Sequence, residues 1–230
     1  MNPSWFQPID SYCERIGPGF WAEPVNAVSN GAFVLAAAHV FWLWRRRRPR
    51  DWPALWLIAV TAIVGIGSFL FHTFANRWSL LADVLPIAVF IYSYFLLAMR
   101  RYLRLGIAAA IAVTFGFAVF NLSFPRLWFN VFPGVSLNGS IGYLPALMAL
   151  VAVGIACRIR HVVQPGRWLL WAGLIFALSL VFRSIDSAVC SALPLGTHAL
   201  WHMLNALVLW ILTTAALVRA PGRKVPHVPR

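Results

Sequence analysis

Apolar residues run along this chain in blocks of about twenty, broken by short clusters that hold most of its charge. A helix rises about 1.5 Å per residue, so a block of that length crosses the roughly 30 Å hydrocarbon core of a bilayer. The blocks predict helices near Asn26–Trp44, Ala54–Phe74, Leu80–Met99, Gly106–Leu122, Gly139–Cys157, Trp168–Ser187 and Thr197–Val218. The pattern therefore predicts an all-α membrane protein, a seven-helix transmembrane bundle. Three parts follow: an N-terminal segment over residues 1–25, a bundle over 26–218, and a basic tail over 219–230 rich in Pro and expected to be disordered. The stretch Ser123–Asn138 reads as a long connector, whose Phe124, Trp128, Phe129 and Phe132 suggest a segment lying at the membrane interface. No internal repeat is present.

The polar clusters orient the bundle. Arg45 to Arg48 and Arg50 follow the first helix, Arg100, Arg101 and Arg104 the third, Arg158, Arg160 and Arg167 the fifth, and Arg219, Arg223, Lys224 and Arg230 the seventh. With seven spans these clusters fall on one side, which the excess of basic residues in inner loops makes cytoplasmic. The N-terminus is then outside and the C-terminus cytoplasmic. Trp42, Trp44, Trp52, Trp56, Trp168 and Trp171 fall at the same boundary, as an aromatic belt would. Five of the six acids, Asp10, Glu14, Glu23, Asp83 and Asp186, map to the outer side, and only Asp51 does not.

Composition agrees with a bilayer as solvent: 61% of the 230 residues are hydrophobic and 11% charged, with mean hydropathy +0.76. The net charge of +13 does not indicate nucleic acid, because the basic residues sit where topology signals sit. Residues 1–20 lack a basic start followed by an apolar run, so no cleaved signal peptide is expected. Three cysteines, Cys13, Cys157 and Cys190, are too few for a disulfide scaffold, though one pair facing an oxidising compartment could bridge.

Ionisable groups within a membrane cost energy and call for a functional explanation. His72 lies near the outer end of the second helix, with Ser68 at i−4 on the same face. Asp83 lies early in the third helix. His198 and His202 form an i, i+4 pair at the outer start of the seventh, and Asn205 continues their stripe. Alternating helix directions bring these residues to one depth. Three neutral imidazoles with an open fourth position make the ligand set of a catalytic zinc centre, which lowers the pKa of water to about 7. Asp83, as a non-ligand, could accept the proton. His39 reads as a packing residue, His161 and His227 as solvated. Glu23, Asn26 and Asn30, at i, i+3 and i+7, form one polar face.

At these residues the chain resembles the alkaline ceramidase family, within a wider group of seven-helix membrane hydrolases that includes the adiponectin-receptor relatives. Four stretches, about a quarter of the chain, carry the resemblance: Asp10–Asn30, Gly67–Ile87, Phe182–Cys190 and Gly196–Leu207, with Ser-x3-His, His-x10-Asp and His-x3-His spacings. The resemblance implies zinc on His72, His198 and His202, with Asp83 orienting and deprotonating water and Ser68 bonding to water or the developing oxyanion. The reaction implied is hydrolysis of the N-acyl bond of ceramide or a related membrane lipid; no nucleic acid is expected, and no protein partner is implied. The family also has an N-terminal calcium site, to which Asp10, Glu14 and Glu23 correspond. This chain departs there, with an extra residue before Cys13 and Ile16 where eukaryotic members have Asn. The resemblance implies a Cys13–Cys190 disulfide with Cys157 free. Arg183 and Asp186, at i, i+3, are expected to form an internal ion pair beside the site, and Tyr143 is a lesser candidate for an oxyanion donor. Other readings are a zinc esterase or phospholipase of lipids, and a receptor-like protein with structural zinc. An ion transporter lacks polar residues through the inner helix halves, and a serine protease lacks a glycine-flanked serine. The short Arg-rich chain suggests a bacterial inner membrane, with the site toward the periplasm.

Overall fold

The computed structural model describes residues 4–47 and 49–217; Val218, the basic tail and His227 lie outside the described residues. Among the described residues the architecture is all-helical, with seven helices long and apolar enough to cross a membrane. The first span, Pro24–Arg45, is made of α1 (Pro24–Ser29) and α2 (Gly31–Arg45), which meet at Asn30. Then come α3 (Trp52–Phe74), α4 (Arg77–Arg101), α5 (Ile107–Val131), a 3-10 segment (Leu137–Tyr143) leading into α6 (Leu144–Ile159), α7 (Val163–Val189) and α8 (His198–Leu217).

Local chemistry sets the ends. Asp51 caps α3 by accepting from the Ala54 N–H at 3.1 Å, and Pro53 occupies the first turn, where no N–H is needed. At the other end Ala75 takes the left-handed conformation, φ 43°, and Asn76 and Ser79 form a reciprocal capping box that starts α4 at once. Two residues thus reverse the chain between α3 and α4. Residues of the N-terminal segment close over this turn, with the Ile9 N–H donating to the Ala75 carbonyl at 2.8 Å and Trp78 N–H to the Trp5 carbonyl at 3.2 Å.

The backbones of α3 and α4 approach closely at Gly67. A Cβ on Gly67 would stand 1.9 Å from the Ala82 carbonyl oxygen, so only glycine lets the two backbones meet there. The main core lies among α3, α4, α6, α7 and α8, with Phe90, Leu169, Phe176 and Trp201 buried in it. A smaller cluster of Val40, Trp44, Ile58 and Leu217 closes the far end. That end is laced by Asp51, which pairs with Arg101 at 2.8 Å. Arg101 and Arg47 also donate to the Ala216 and Leu217 carbonyls, the last of α8.

Two expectations change. The connector expected over Ser123–Asn138 is helical as far as Val131, because Pro125 is accommodated inside α5 rather than ending it. Of its aromatics only Phe132 falls beyond the helix, and Trp128 Nε1 donates to the Val135 carbonyl at 2.9 Å to tie the turn. Trp44, expected in a boundary belt, instead turns inward and donates to the Asp51 carbonyl at 2.6 Å. Trp42, Trp52, Trp56 and Trp171 are exposed as a belt requires. His39 accepts from Trp210 Nε1 at 2.8 Å, a packing role, and His161 is exposed.

Candidate metal centre

The last turn of α3 carries His72, and the first turns of α8 carry His198 and His202. All three are buried, and one nitrogen from each lies within 4.8 Å of the others. His72 Nε2 and His198 Nδ1 are enclosed with no hydrogen-bond partner. Enclosed polar atoms are costly unless something pairs with them, and three convergent imidazole nitrogens are matched by one metal ion. The residues fit a metal.

The surrounding hydrogen bonds set the tautomers. His72 Nδ1 lies 2.6 Å from Glu23 Oε2; a carboxylate only accepts, so Nδ1 carries the proton and Nε2 keeps its lone pair. His202 Nδ1 lies 2.8 Å from Ser29 Oγ, whose single proton goes to the Asn26 carbonyl at 2.8 Å. His202 Nδ1 is therefore the donor, and its Nε2 is left free to ligate. His198 is held through its backbone and by Tyr12, which stacks on its ring at 3.7 Å between centroids. Burial pushes the Tyr12 hydroxyl up to about 12, partly countered by Arg183, so it stays a neutral phenol.

Asp83 and Ser68 complete the expected group. The close packing at Gly67 sets Ser68, the next residue of α3, against the stretch of α4 that carries Asp83. Asp83 Oδ1 is buried without a hydrogen-bond partner. Ser68, Asp83, Arg183, His202 and Asn205 all line one cavity, whose remaining walls are almost wholly apolar. The cavity follows α4 from Asp83 to Ala98, about 22 Å at the helical rise. That exceeds half of the ~30 Å hydrocarbon thickness. Asn205 is anchored by its Nδ2 to Ser179 Oγ and the Trp201 carbonyl.

Two of the three N-terminal acids bond within the chain. Glu14 accepts from the Val25 and Asn26 N–H groups at 2.6 and 2.8 Å, capping α1. Glu23 accepts from Arg15, His72 and Asn26. Burial works against its ionised form, but hydrogen bonds from His72 and Arg15, with the Arg15 charge, outweigh this and hold Glu23 below the usual carboxylate range. Asp10 is exposed. Asn30 donates to the Asn26 carbonyl at 2.8 Å, which extends the polar face as expected.

The expected Arg183–Asp186 ion pair does not form. Asp186 turns to the start of α8 and accepts from Thr197, His198 and Cys13 N–H groups at 2.6, 2.9 and 3.2 Å. Two amides at a helix N-terminus and a third from the N-terminal segment satisfy a carboxylate better than one neighbour on the same helix. Gly196 makes room for it, with φ +64° and a would-be Cβ 2.2 Å from Asp186 Oδ1. Arg183 instead bonds to the Tyr12 hydroxyl at 3.1 Å and packs over the Tyr12, Tyr143 and Trp201 rings. Tyr143 lines the cavity beside it. The Cys13–Cys190 disulfide is formed, with Cα atoms 5.1 Å apart, and Cys157 is free and buried.

Comparison with protein families matches residues 12–224 to the family described as Ceramidase. The chain belongs to the ceramidase family. Comparison with curated proteins gives no match. In this ceramidase-family chain three functional neighbours escaped the sequence: Tyr12, Arg15 and Ser29. Tyr12 and Arg15 flank Cys13 and Glu14, while Ser29 sits one turn after Asn26; none of the three positions signals a contact with a distant imidazole.

Proposed function

We propose that this ceramidase-family chain is a zinc-dependent amide hydrolase that cleaves the N-acyl bond of ceramide or a related membrane lipid. One observation carries the reading: His202, one of three convergent buried imidazoles, lines an apolar cavity that also holds Asp83. Three neutral imidazoles without a fourth protein ligand form a donor set suited to zinc with an open position. When bound, zinc would supply a Lewis acid for the amide carbonyl and lower the pKa of water to about 7.

The chain's own groups account for the rest. Glu23 and Ser29 fix the tautomers of His72 and His202. Asp83 takes a proton from the attacking water and returns it to the amide nitrogen as the carbon–nitrogen bond breaks. The water oxygen becomes part of the released fatty acid, and the sphingoid amine leaves. Ser68 donates to the oxygen that gains charge as the acyl carbon becomes tetrahedral. The long apolar cavity receives an acyl chain, while Arg183 and Tyr143 face its polar end. The disulfide at the same end as the imidazoles supports a site on an oxidising side, and the arginine clusters at the other end support a cytoplasmic face there. In a bacterial inner membrane that places the site toward the periplasm.

The test is metal analysis of purified protein together with mass-spectrometric assay of N-acyl sphingoid lipids. Zinc near one equivalent and release of a free long-chain amine are expected. His202→Ala should lose both zinc and activity, whereas Asp83→Asn should keep zinc and lose activity. Well-folded protein that takes up no zinc would remove the mechanism. Cleavage of lipid esters alone, or zinc without turnover, would replace it with an esterase or a receptor-like role.

A further inference from the structure

The carboxylates that correspond to the family's calcium site already have a cation among them, and it belongs to the chain. Arg15 is buried, and its side chain is 4% exposed against 3% for that of Glu23. Its Nε donates to Glu23 Oε1, Nη1 to the Gly17 carbonyl at 3.2 Å, and Nη2 to the His72 carbonyl at 3.1 Å. A carboxylate and two backbone carbonyls are ligands of the kind calcium takes. Here they surround a guanidinium. Gly17 supports this arrangement through φ +106°, a conformation that other residues adopt only under strain.

The other expected ligands are committed elsewhere or turned away. Both Glu14 oxygens accept helix amides, and Glu23 Oε2 serves His72 and Asn26. Asp10 is exposed, and Ile16, where eukaryotic relatives have Asn, is 87% exposed. Among the described residues, the His72, His198 and His202 group alone brings three His, Cys, Asp or Glu ligand atoms within 4.8 Å of one another. An ion bound at the usual 2.3–2.6 Å from Glu23 Oε1 would lie beside the guanidinium, a like charge in a place with little water to screen it.

We propose that Arg15 substitutes for the divalent cation, so that this chain assembles its metal centre without calcium. Arg15 acts as a positioning residue: it holds Glu23, which in turn holds the Nδ1–H of His72. The inference does not rest on the hydrolase reading, and its test needs no turnover.

The experiment uses the full chain, zinc-loaded in detergent. Equilibrium dialysis with radioactive calcium is combined with melting in CaCl2 and with a zinc determination on each sample. The wild-type protein is expected to bind no stoichiometric calcium, and its melting midpoint should not move. Arg15→Ala opens the position, so it should melt lower and take up one calcium. Calcium at a hundred times its Kd should raise the Arg15→Ala midpoint by roughly 5–10 °C. Arg15→Lys keeps the charge and should resemble wild type. If Arg15→Ala does not fold, the wild-type and Arg15→Lys measurements decide. One equivalent of calcium on wild type with a raised midpoint would overturn the proposal. So would an Arg15→Ala protein no more responsive to calcium than wild type.

Discussion

Gly67→Ala is the sharpest test of how the site is assembled. The added methyl would begin 1.9 Å from the Ala82 carbonyl oxygen and 2.7 Å from its carbon, both backbone atoms that no rotamer change can move. Ordinary contact begins near 3.4 Å, so the two helices must part locally by about 1.5 Å or the chain must bend; overpacking of this kind costs about 1–3 kcal/mol. For a chain of this size that lowers the melting midpoint by about 2–4 °C per kcal/mol. The effect on catalysis should be at least comparable with that on stability. The three imidazoles sit on α3 and α8, so zinc should stay, while Asp83 on α4 moves away from Ser68 and His72. A displacement of about 1 Å can cost on the order of 100-fold in rate. The assay compares kcat for an N-acyl sphingoid lipid, zinc content and melting in wild type and variant. A variant with full zinc, an unchanged midpoint and kcat within about twofold of wild type would refute the reasoning.

Three further outcomes are expected. Glu23→Gln keeps an acceptor for His72 but removes the charge that Arg15 requires; loss of a buried pair costs about 3–5 kcal/mol. Zinc affinity should also fall about 10–100-fold, read by competition with a chromophoric chelator. Ser29→Ala strands the Nδ1–H of His202 and should weaken zinc about 10-fold, whereas Ser29→Thr retains the hydroxyl and should restore it. Replacing both Cys13 and Cys190 by Ser opens a loop spanning 177 residues, worth at most about 5 kcal/mol by chain entropy, and should lower the melting midpoint.

The chain showed its spans and its imidazoles for different reasons. A span is a local property, twenty apolar residues long, and needs no partner to be recognised. His198 and His202 were legible because i, i+4 places them on one face, and His72 with Asp83 because the resemblance joined them across helices. The end of α5 is not legible, because Pro125 and an aromatic-rich stretch look like a connector, yet the helix continues through them. Arg183 and Asp186 show the limit of spacing. An i, i+3 interval says that two side chains are near, but not that amides more than ten residues ahead, in another helix, compete for the carboxylate. The Arg15, Ser29 and Tyr12 contacts with the imidazole-bearing residues cross wide gaps in sequence, and no local pattern encodes such a contact.

Asp186 gathers two separate pieces of polypeptide on one side chain: the amide of Cys13, from before the first span, and two amides at the head of α8. The leading segment is therefore not an appendage draped across a finished bundle. Peeling it back would strip a donor from the same carboxylate that seats His198 and pull on the helix beneath. Shortening the chain from its front should thus register first as a loosened grip on the ion, before any helix melts.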